Sequence, residues 1–174
     1  MLSTAYHILE KRKGSGILFT YKDTRQNEVT IYFEMQNYQA DDVLIIPRLS
    51  EGWLFTEHKE RGLEFPGGKG EKEETNIEAA RRELLEETGA VAKEFYFVAD
   101  YLVLSSERTF TKRVYTTNVE KIEPQADYLE TNGPVILEGN LSHFILDETF
   151  SFFMRDVGMV QIVQAAERIL SSKN

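Results

Sequence analysis

Three glutamates, Glu83, Glu86 and Glu87, follow one another at spacings of one, three and four residues. In a helix this spacing puts all three carboxylates on neighbouring positions of one face, where like charges repel by roughly 0.2–0.5 kcal/mol per pair. They also fall in the last turns, where the helix dipole disfavours anions. A placement that costs local stability indicates a functional site. The structural alternative is a solvated acidic face.

A glycine-rich segment, PGGKG at 66–70, precedes these acids, and we expect it to be a turn through which no strand continues. Glycine allows a backbone carbonyl to approach a ligand closely. Hard divalent cations prefer carboxylate and carbonyl oxygens, so glycine loop and acids together predict a site for Mg²⁺ or Mn²⁺. Arg82 is next to Glu83 and can hold a carboxylate in place. The alternative for Arg82 is a surface ion pair.

Local patterning predicts the helix that carries these acids. Thr75 and Glu78 form a capping box, and Gly89 supplies a C-terminal stop, so the helix runs over 75–88. An apolar stripe at helical spacing supports it: Ile77, Ala80 and Leu84. A second helix is predicted at the C-terminus from residues that share one face: Met159, Ile162, Val163, Ala166, Ile169 and Leu170.

The remaining elements are predicted to be strands, at 17–21, 29–35, 43–46, 53–56, 63–65, 95–104, 110–119 and 135–137. The strand that begins at Val43 is expected to end at Pro47. The polar first stretch, through Gly16, is expected to be a loose arm. Many strands with two helices predict an α+β fold in which the helices cover a mixed sheet.

The composition of the chain excludes several classes of protein. The 174 residues predict one domain, and the lack of cysteine excludes a disulfide scaffold, a thiolate zinc site and a cysteine nucleophile. The net charge of -9 argues against general affinity for nucleic-acid backbone or membranes. No long apolar run and no secretory signal are visible, so we expect a cytoplasmic protein. Oligomeric state and base preference are not fixed by the sequence.

Nine residues, in order and spacing, resemble the Nudix box: Gly68, Glu74, Arg82, Glu83, Leu84, Glu86, Glu87, Gly89 and Ala90. LEFPGGK at 63–69 is similar to the lead-in of the MutT-type Nudix hydrolases. The segments 56–62, 125–135 and 150–154 resemble the YtkD-type nucleoside triphosphatases of Gram-positive bacteria. The resemblance implies a single Nudix domain over 1–174, with the box at 68–90 and residues 1–25 as a candidate N-terminal extension.

The resemblance also implies roles for these residues. The fold would be an α/β/α sandwich in which the box forms a loop-helix-loop that binds divalent metal. The implied metal ligands are Gly68, through its carbonyl, and Glu83, Glu86 and Glu87. Glu83 would be a metal ligand or the base that activates water. Glu87, like Glu83, would be a catalytic residue. Arg82 would orient a carboxylate, and Glu74 would steady the loop, with a surface acid as its alternative.

Outside the box, the expected substrate-binding residues are Arg61, Glu64 and Lys69. Glu130 is the candidate for a further catalytic carboxylate from a later loop, with Asp127 as second choice, and an exposed loop acid is the alternative. His58 is a candidate phosphate contact, although a partly buried structural role is the more common one for such a histidine. Trp53 is expected in the core rather than as a base-stacking platform.

The resemblance implies Mg²⁺-dependent hydrolysis of nucleoside triphosphates to monophosphate and pyrophosphate, with 8-oxo-dGTP as a candidate substrate. Removal of pyrophosphate from RNA 5′ ends is the enzymatic alternative. A non-catalytic, nucleotide-sensing Nudix domain is the alternative from another class. Such domains lose box carboxylates, whereas every charged box position is intact here, which favours the enzyme.

Overall fold

The computed structural model describes residues 9–13 and 16–173. Its strands are β1 (Leu9–Lys13), β2 (Gly16–Lys22), β3 (Glu28–Tyr32), β4 (Asp42–Arg48), β5 (Trp53–His58), β6 (Gly62–Glu64), β7 (Gly67–Lys69), β8 (Ala90–Val91), β9 (Tyr96–Leu104), β10 (Thr109–Asn118), β11 (Lys121–Ile122) and β12 (Thr131–Leu137). Its helices are α1 (Asn76–Thr88), α2 (Leu141–Phe144) and α3 (Val157–Ser171). Among the residues described, no helix is long and apolar enough to cross a membrane.

One mixed sheet holds most of the strands, in the order β1-β2-β3-β9-β10-β4-β5-β12. β6 pairs with β5, and β7 pairs with β4. β4 and β10 run parallel, and the other strand pairs of this sheet are antiparallel. β8 and β11 form a separate two-stranded sheet. The predicted α+β class with a mixed sheet is confirmed.

The two faces of the sheet are covered by different helices. Because side chains alternate along a strand, Leu44 and Ile46 of β4 belong to the hydrophobic cluster that includes Ile162 of α3. Val43 of the same strand belongs to a second cluster, which includes Leu84 of α1. The result is a helix-sheet-helix sandwich.

The strand predicted to end at Pro47 instead continues to Arg48. Ile45 N–H donates to Pro66 O, and Leu49 N–H donates to Gly52 O. Pro47 therefore lies between the two short partners on this side of β4, where the ladder passes from β7 to β5. Its missing N–H costs little at such a gap.

The glycine-rich segment predicted to be a turn contains a strand, so that prediction was wrong. β7 pairs with β4 in the register Leu44 with Gly67 and Val43 with Gly68. A Cβ added to Gly67 would lie 2.4 Å from Val43 O, so the glycine is required for close approach of the two backbones rather than for a turn.

Two smaller expectations also need correction. Leu9–Lys13 pairs antiparallel with β2 as an outer strand of the sheet, so this part of the expected loose arm is ordered structure, while residues 1–8, 14 and 15 lie outside the described residues. Ile77 is 45% exposed and does not belong to the buried stripe of α1, in which Ala79 takes part instead. The helix ends and the buried face of α3 agree with the patterns, although Ile169 is only partly buried.

A buried ion pair joins β9 and β10 to the segment before β4. Arg113 donates to both carboxylate oxygens of Asp100, at 2.7 and 2.8 Å, and also to the carbonyls of Gln36 and Tyr38. The Gln36 N–H donates to Asp100 in turn. The Asp100 side chain is fully buried, so its charge depends on this one cation.

Replacing Arg113 with Leu should lower the free energy of unfolding by about 3–5 kcal/mol, because Asp100 is left buried without its cation. Lys93→Ala is the matched control, since it removes an exposed ion pair with Glu120 and should change stability by less than about 1 kcal/mol. Urea unfolding of both variants measures the difference. Similar small effects in the two would show that the Asp100 charge is solvated.

Candidate active site

Helix α1 is fixed at both ends by the residues that its sequence predicts. The capping box is formed: Glu78 N–H donates to Thr75 Oγ1, and Thr75 N–H donates to a carboxylate oxygen of Glu78 at 2.8 Å. Gly89 ends the helix in the left-handed region, with φ of 69°. Asn76 exchanges two hydrogen bonds of 2.9 Å with the backbone of Ala40, which fixes the start of α1 to the segment before β4.

Arg82 gathers the charges of the loop and the helix. Its guanidinium donates to both carboxylate oxygens of Glu74, each at 2.9 Å, to Glu83 at 2.8 Å and to Glu86 at 3.3 Å. It also donates to the carbonyl of Lys69 at 3.0 Å. Such a fork is rigid and directional. Arg82 thus orients carboxylates and links α1 to the loop before it.

Glu83 lies directly against the backbone of Gly68. A Cβ added to Gly68 would fall 2.3 Å from Glu83 Oε1, so only glycine leaves room for the carboxylate. Burial raises the pKa of Glu83, although the hydrogen bond and the charge of Arg82 oppose this rise. The two box residues therefore bring a carboxylate and a backbone segment into contact.

Glu87 is the half-buried carboxylate that Arg82 does not reach. Burial raises its pKa to about 7, against the effect of the Gly67 N–H, which donates to Glu87 Oε2 at 3.0 Å. The negative charges of Glu83, Glu64 and Glu130 raise this pKa further. Within the part of the chain that the structure describes, Glu87 forms no ion pair, so these carboxylates repel one another around a position that favours a cation.

The donors at this position fit a divalent cation in type. They are carboxylates and backbone carbonyls, the oxygens that Mg²⁺ and Mn²⁺ prefer. No three acidic or histidine side chains of the described residues already converge at metal-binding distance. The Glu86 side chain is half exposed, and its hydrogen bond is the longest of those that Arg82 donates, at 3.3 Å. The Glu86 side chain can therefore rotate towards a cation. The charge excess at Glu87 and the contact of the Glu83 carboxylate with the Gly68 backbone favour cation binding.

Arg61 and Glu64 form a bidentate pair at 2.7 and 2.9 Å, and both line a cavity of about 580 Å³ between the sheet and α3. Gly67 lines it too. The side chain of Lys69 is exposed and outside this lining, while its carbonyl accepts from Arg82. The structure therefore brings two of the three predicted substrate-binding side chains to the cavity.

The two loop acids take different positions. Glu130 is exposed, and its negative charge raises the pKa of both Glu87 and Arg61. Asp127 accepts the N–H of Leu129 at 3.0 Å and holds the local turn. Of the two, only Glu130 affects the site.

The structure agrees with a structural role for His58 and a core position for Trp53. His58 Nδ1 accepts the N–H groups of Glu60 and Arg61, which fixes the turn between β5 and β6. Trp53 is 3% exposed and belongs to the hydrophobic core. Neither side chain lines the cavity.

The sequence did not indicate the other residues that line the cavity. They include Asp42, Tyr101, Phe110, Lys112, Phe152 and Phe153. These residues come from β4, β9, β10 and the segment before α3, so no local spacing joins them. A charged residue at the start of the buried β4 was the one available signal, and Asp42 is 8% exposed.

Comparisons with known proteins show the family to which this chain belongs. The family model described as the NUDIX domain matches residues 24–132. The chain is 42% identical over 141 residues to YtkD of Bacillus subtilis, whose name proposes an 8-oxo-dGTP diphosphatase, with 80% of this chain and 89% of YtkD covered. It is 40% identical to the crystal structure of the Bacillus subtilis pyrophosphohydrolase BsRppH, with a TM-score of 0.77 and coverage of 86% and 96%.

A NUDIX hydrolase from Nitrosomonas europaea, 19% identical with a TM-score of 0.58, shares the fold over 79% of this chain and 92% of its own. The sandwich, the carboxylates ordered by Arg82 and the adjoining cavity fit a hydrolase of a class that generally uses a divalent metal. The chain belongs to the Nudix family.

The raised pKa of Glu87 predicts how stability depends on pH without metal. An unfolded glutamate ionises near pH 4.5 and the folded Glu87 near pH 7, so between these values the folded state binds more protons. The free energy of unfolding should therefore fall as pH rises through this window. Glu87→Gln cannot ionise and should exceed wild type in stability at pH 8 by roughly 2–3 kcal/mol, with little difference at pH 4.5.

Melting in the presence of a chelator at both pH values measures this effect. Glu86→Gln is the control, because it removes the same charge from an exposed position of the same helix and should shift stability by less than about 0.5 kcal/mol. A Glu87→Gln protein that melts below wild type at pH 8 would show that the carboxylate stabilises the fold.

Proposed function

We propose that this chain hydrolyses nucleoside triphosphates to monophosphate and pyrophosphate with Mg²⁺ or Mn²⁺. The observation that carries the proposal is that the carboxylates and the cavity share residues. Gly67 donates to Glu87 and also lines the cavity. Glu64 lines the cavity, and its charge acts on Glu87. A nucleoside in the cavity would therefore direct its phosphates across Gly67 towards the carboxylates.

The residues that would hold the cation are Glu83, Glu86, Glu87 and the carbonyl of Gly68. A bound divalent cation supplies neutralisation of phosphate oxygens and a more acidic water. Arg82 fixes Glu83 through Oε1 and leaves Oε2 to accept a proton. Glu87 is fixed through Oε2 and leaves Oε1. Either carboxylate can serve as the general base, a role worth about 10²–10⁴ in rate.

The finer proposal is that oxidised guanine nucleotides such as 8-oxo-dGTP are among the substrates. The name of the 42% identical YtkD supports it. Removal of pyrophosphate from RNA 5′ ends is the second candidate. BsRppH is named a pyrophosphohydrolase, and Phe152 and Phe153 form an exposed pair, 4.0 Å between ring centroids, on which a second base could stack.

The products test the reaction. With Mg²⁺ and dGTP, we expect dGMP and pyrophosphate to appear together, without dGDP. Glu83→Gln should lower turnover at least about a hundredfold, because it removes both a ligand charge and a candidate base. Glu138→Gln, an exposed glutamate after β12, is the control and should keep full turnover. Orthophosphate and dGDP as first products would contradict the proposal.

Competing substrates test the finer proposal. We expect kcat/KM for 8-oxo-dGTP to exceed that for dGTP, by up to about ten- to two-hundredfold if pocket shape alone discriminates. Equal constants would rule out a sanitising role and leave a general triphosphatase. A 5′-triphosphorylated oligonucleotide with a higher constant than either nucleotide would favour the RNA activity instead.

A further inference from the structure

Asn76, the first residue of α1, has a buried side chain that is hydrogen-bonded to one distant residue. It is 2% exposed, and its amide accepts the N–H of Ala40 and donates to the Ala40 carbonyl, both at 2.9 Å. Ala40 is 3% exposed, so no water can replace these partners of its backbone. Asn76 is not one of the nine residues that match the Nudix box. A buried asparagine at such a position needs a physical explanation.

The bonds from this asparagine are part of a set that holds the whole loop between β7 and α1. Gly70, at the start of the loop, donates its N–H to the carbonyl of Asp41 at 2.9 Å. The side-chain amide of Gln39 donates to the carbonyl of Glu74 at 2.9 Å. The three consecutive residues of the segment 39–41 therefore contact the loop at its start, near its end and at the first residue of the helix.

The segment 39–41 is itself fixed to the sheet. The N–H of Asp41 donates to Thr111 Oγ1 of β10 at 3.1 Å, and the Asp41 carboxylate accepts from the N–H and the hydroxyl of Thr111, both at 2.8 Å. Directly after this segment, β4 begins at Asp42, where its pairing with β7 also begins. The segment therefore holds the loop to the same strands that position Gly68.

The loop has a backbone shape that its own residues do not favour. Glu73 lies in the left-handed region with φ of 67°, which is uncommon for a residue that has a side chain. Such a conformation persists only where the surrounding contacts impose it. Arg82 supplies contacts from the helix side, through Glu74 and the carbonyl of Lys69. Asn76 supplies them from the sheet side.

The proposed metal site needs β7 and α1 at a fixed distance. The carbonyl of Gly68 comes from β7, and the carboxylates of Glu83 and Glu87 come from α1. β4 holds β7 in register, and the bonds from Asn76 to Ala40 hold the start of α1 to the residues just before that strand. Because Glu83 lies about two turns after Asn76, a shift of the helix start also moves this carboxylate relative to Gly68.

We propose that Asn76 is a positioning residue of the metal site, which sets the distance between α1 and the Gly68 backbone through its bonds to Ala40. This inference rests on the proposed function, because the cation and its ligands are the ones proposed there. Asn76 acts through the backbone and lies outside the cavity lining. Its loss should therefore affect metal binding and turnover rather than the binding of the nucleotide.

Asn76→Ala should weaken the binding of Mn²⁺ about tenfold, measured by electron paramagnetic resonance without nucleotide. At saturating Mg²⁺, kcat for dGTP should fall by about ten- to a hundredfold, because the carboxylates are displaced from the reacting phosphate. KM for dGTP should stay within about twofold of wild type, because the cavity is unchanged. A residue that only stabilises the fold would lower the melting temperature without changing Mn²⁺ affinity or kcat.

Thr116→Val is the matched control. It removes another buried hydrogen bond from a side chain to a backbone carbonyl, from Thr116 Oγ1 of β10 to Ile46 O of β4 at 2.7 Å, away from the loop. It should also lower the melting temperature, but it should keep the wild-type Mn²⁺ affinity and kcat. All assays are run below the melting temperature of each variant.

Gln39→Ala tests the same loop from an exposed position, so it should fold even if Asn76→Ala does not. It removes the bond to the carbonyl of Glu74 and should weaken Mn²⁺ binding by about two- to fivefold. If Asn76→Ala does not fold, this variant decides: weaker Mn²⁺ binding supports the proposal, and unchanged binding overturns it.

Four outcomes would overturn the proposal: an Asn76→Ala protein that binds Mn²⁺ as wild type does, one whose loss lies mainly in KM, equal losses in Thr116→Val, or a wild type that binds no Mn²⁺. A wild type that binds Mn²⁺ but hydrolyses no nucleotide contradicts the proposed function instead. Weaker Mn²⁺ binding by Asn76→Ala would then still support the positioning role, and unchanged binding would overturn it.

Discussion

The guanidinium of Arg82 is the interaction on which the arrangement of the site depends. Its five N–H groups are shared among three carboxylates and the carbonyl of Lys69, so one side chain links the loop before α1 to the middle and end of the helix. A lysine has one charge centre and no planar fork, so it could not hold Glu74 through two parallel bonds and Glu83 at the same time. Arg82 thereby fixes the direction from which the acids approach Gly68.

Arg82 also divides the acids into two groups. Glu74 is fully paired with it, and this pairing lowers the pKa of Glu74. Glu87 lies beyond its reach and is buried beside other negative charges, so its pKa is raised. The loop before α1 thus carries a charge that is already neutralised, and α1 carries a second charge that folding leaves uncompensated. A divalent cation bound there would relieve only the second charge, close to Gly67, which also lines the cavity.

Sequence reasoning succeeded where the physical cause is local. The capping box of Thr75, the left-handed Gly89 and the contact between Arg82 and Glu83 depend on residues within one helix. It failed where the cause lies in a distant strand. Pro47 remains inside β4 because its neighbours change partner there, and Gly67 is part of a strand because Val43 approaches closely.

The cavity also depends on distant strands, because three of its polar side chains come from three adjacent strands: Asp42 of β4, Lys112 of β10 and Tyr101 of β9. Nothing in the local sequence relates Asp42 to Lys112, 70 residues later, and the register that joins them is set by the parallel pairing of β4 with β10. In a chain with a net charge of -9, positive charge for an anionic ligand has to be concentrated locally. The cavity supplies this charge with two arginines that stack on aromatic rings. The guanidinium of Arg61 lies 5.7 Å from the ring centre of Phe153, and that of Arg108 lies 5.3 Å from the ring centre of Phe110.

A guanidinium that stacks on a ring keeps its N–H edge free for hydrogen bonds while its face is covered. Arg61 already gives two of these N–H groups to Glu64, so its charge is partly neutralised until a phosphate competes for it. That competition connects the two halves of the site: an anionic substrate that draws Arg61 away leaves Glu64 uncompensated beside Glu87. The added negative charge there would strengthen cation binding. Because coupling between two ligands is reciprocal, we expect this added charge to make substrate and metal bind with positive cooperativity.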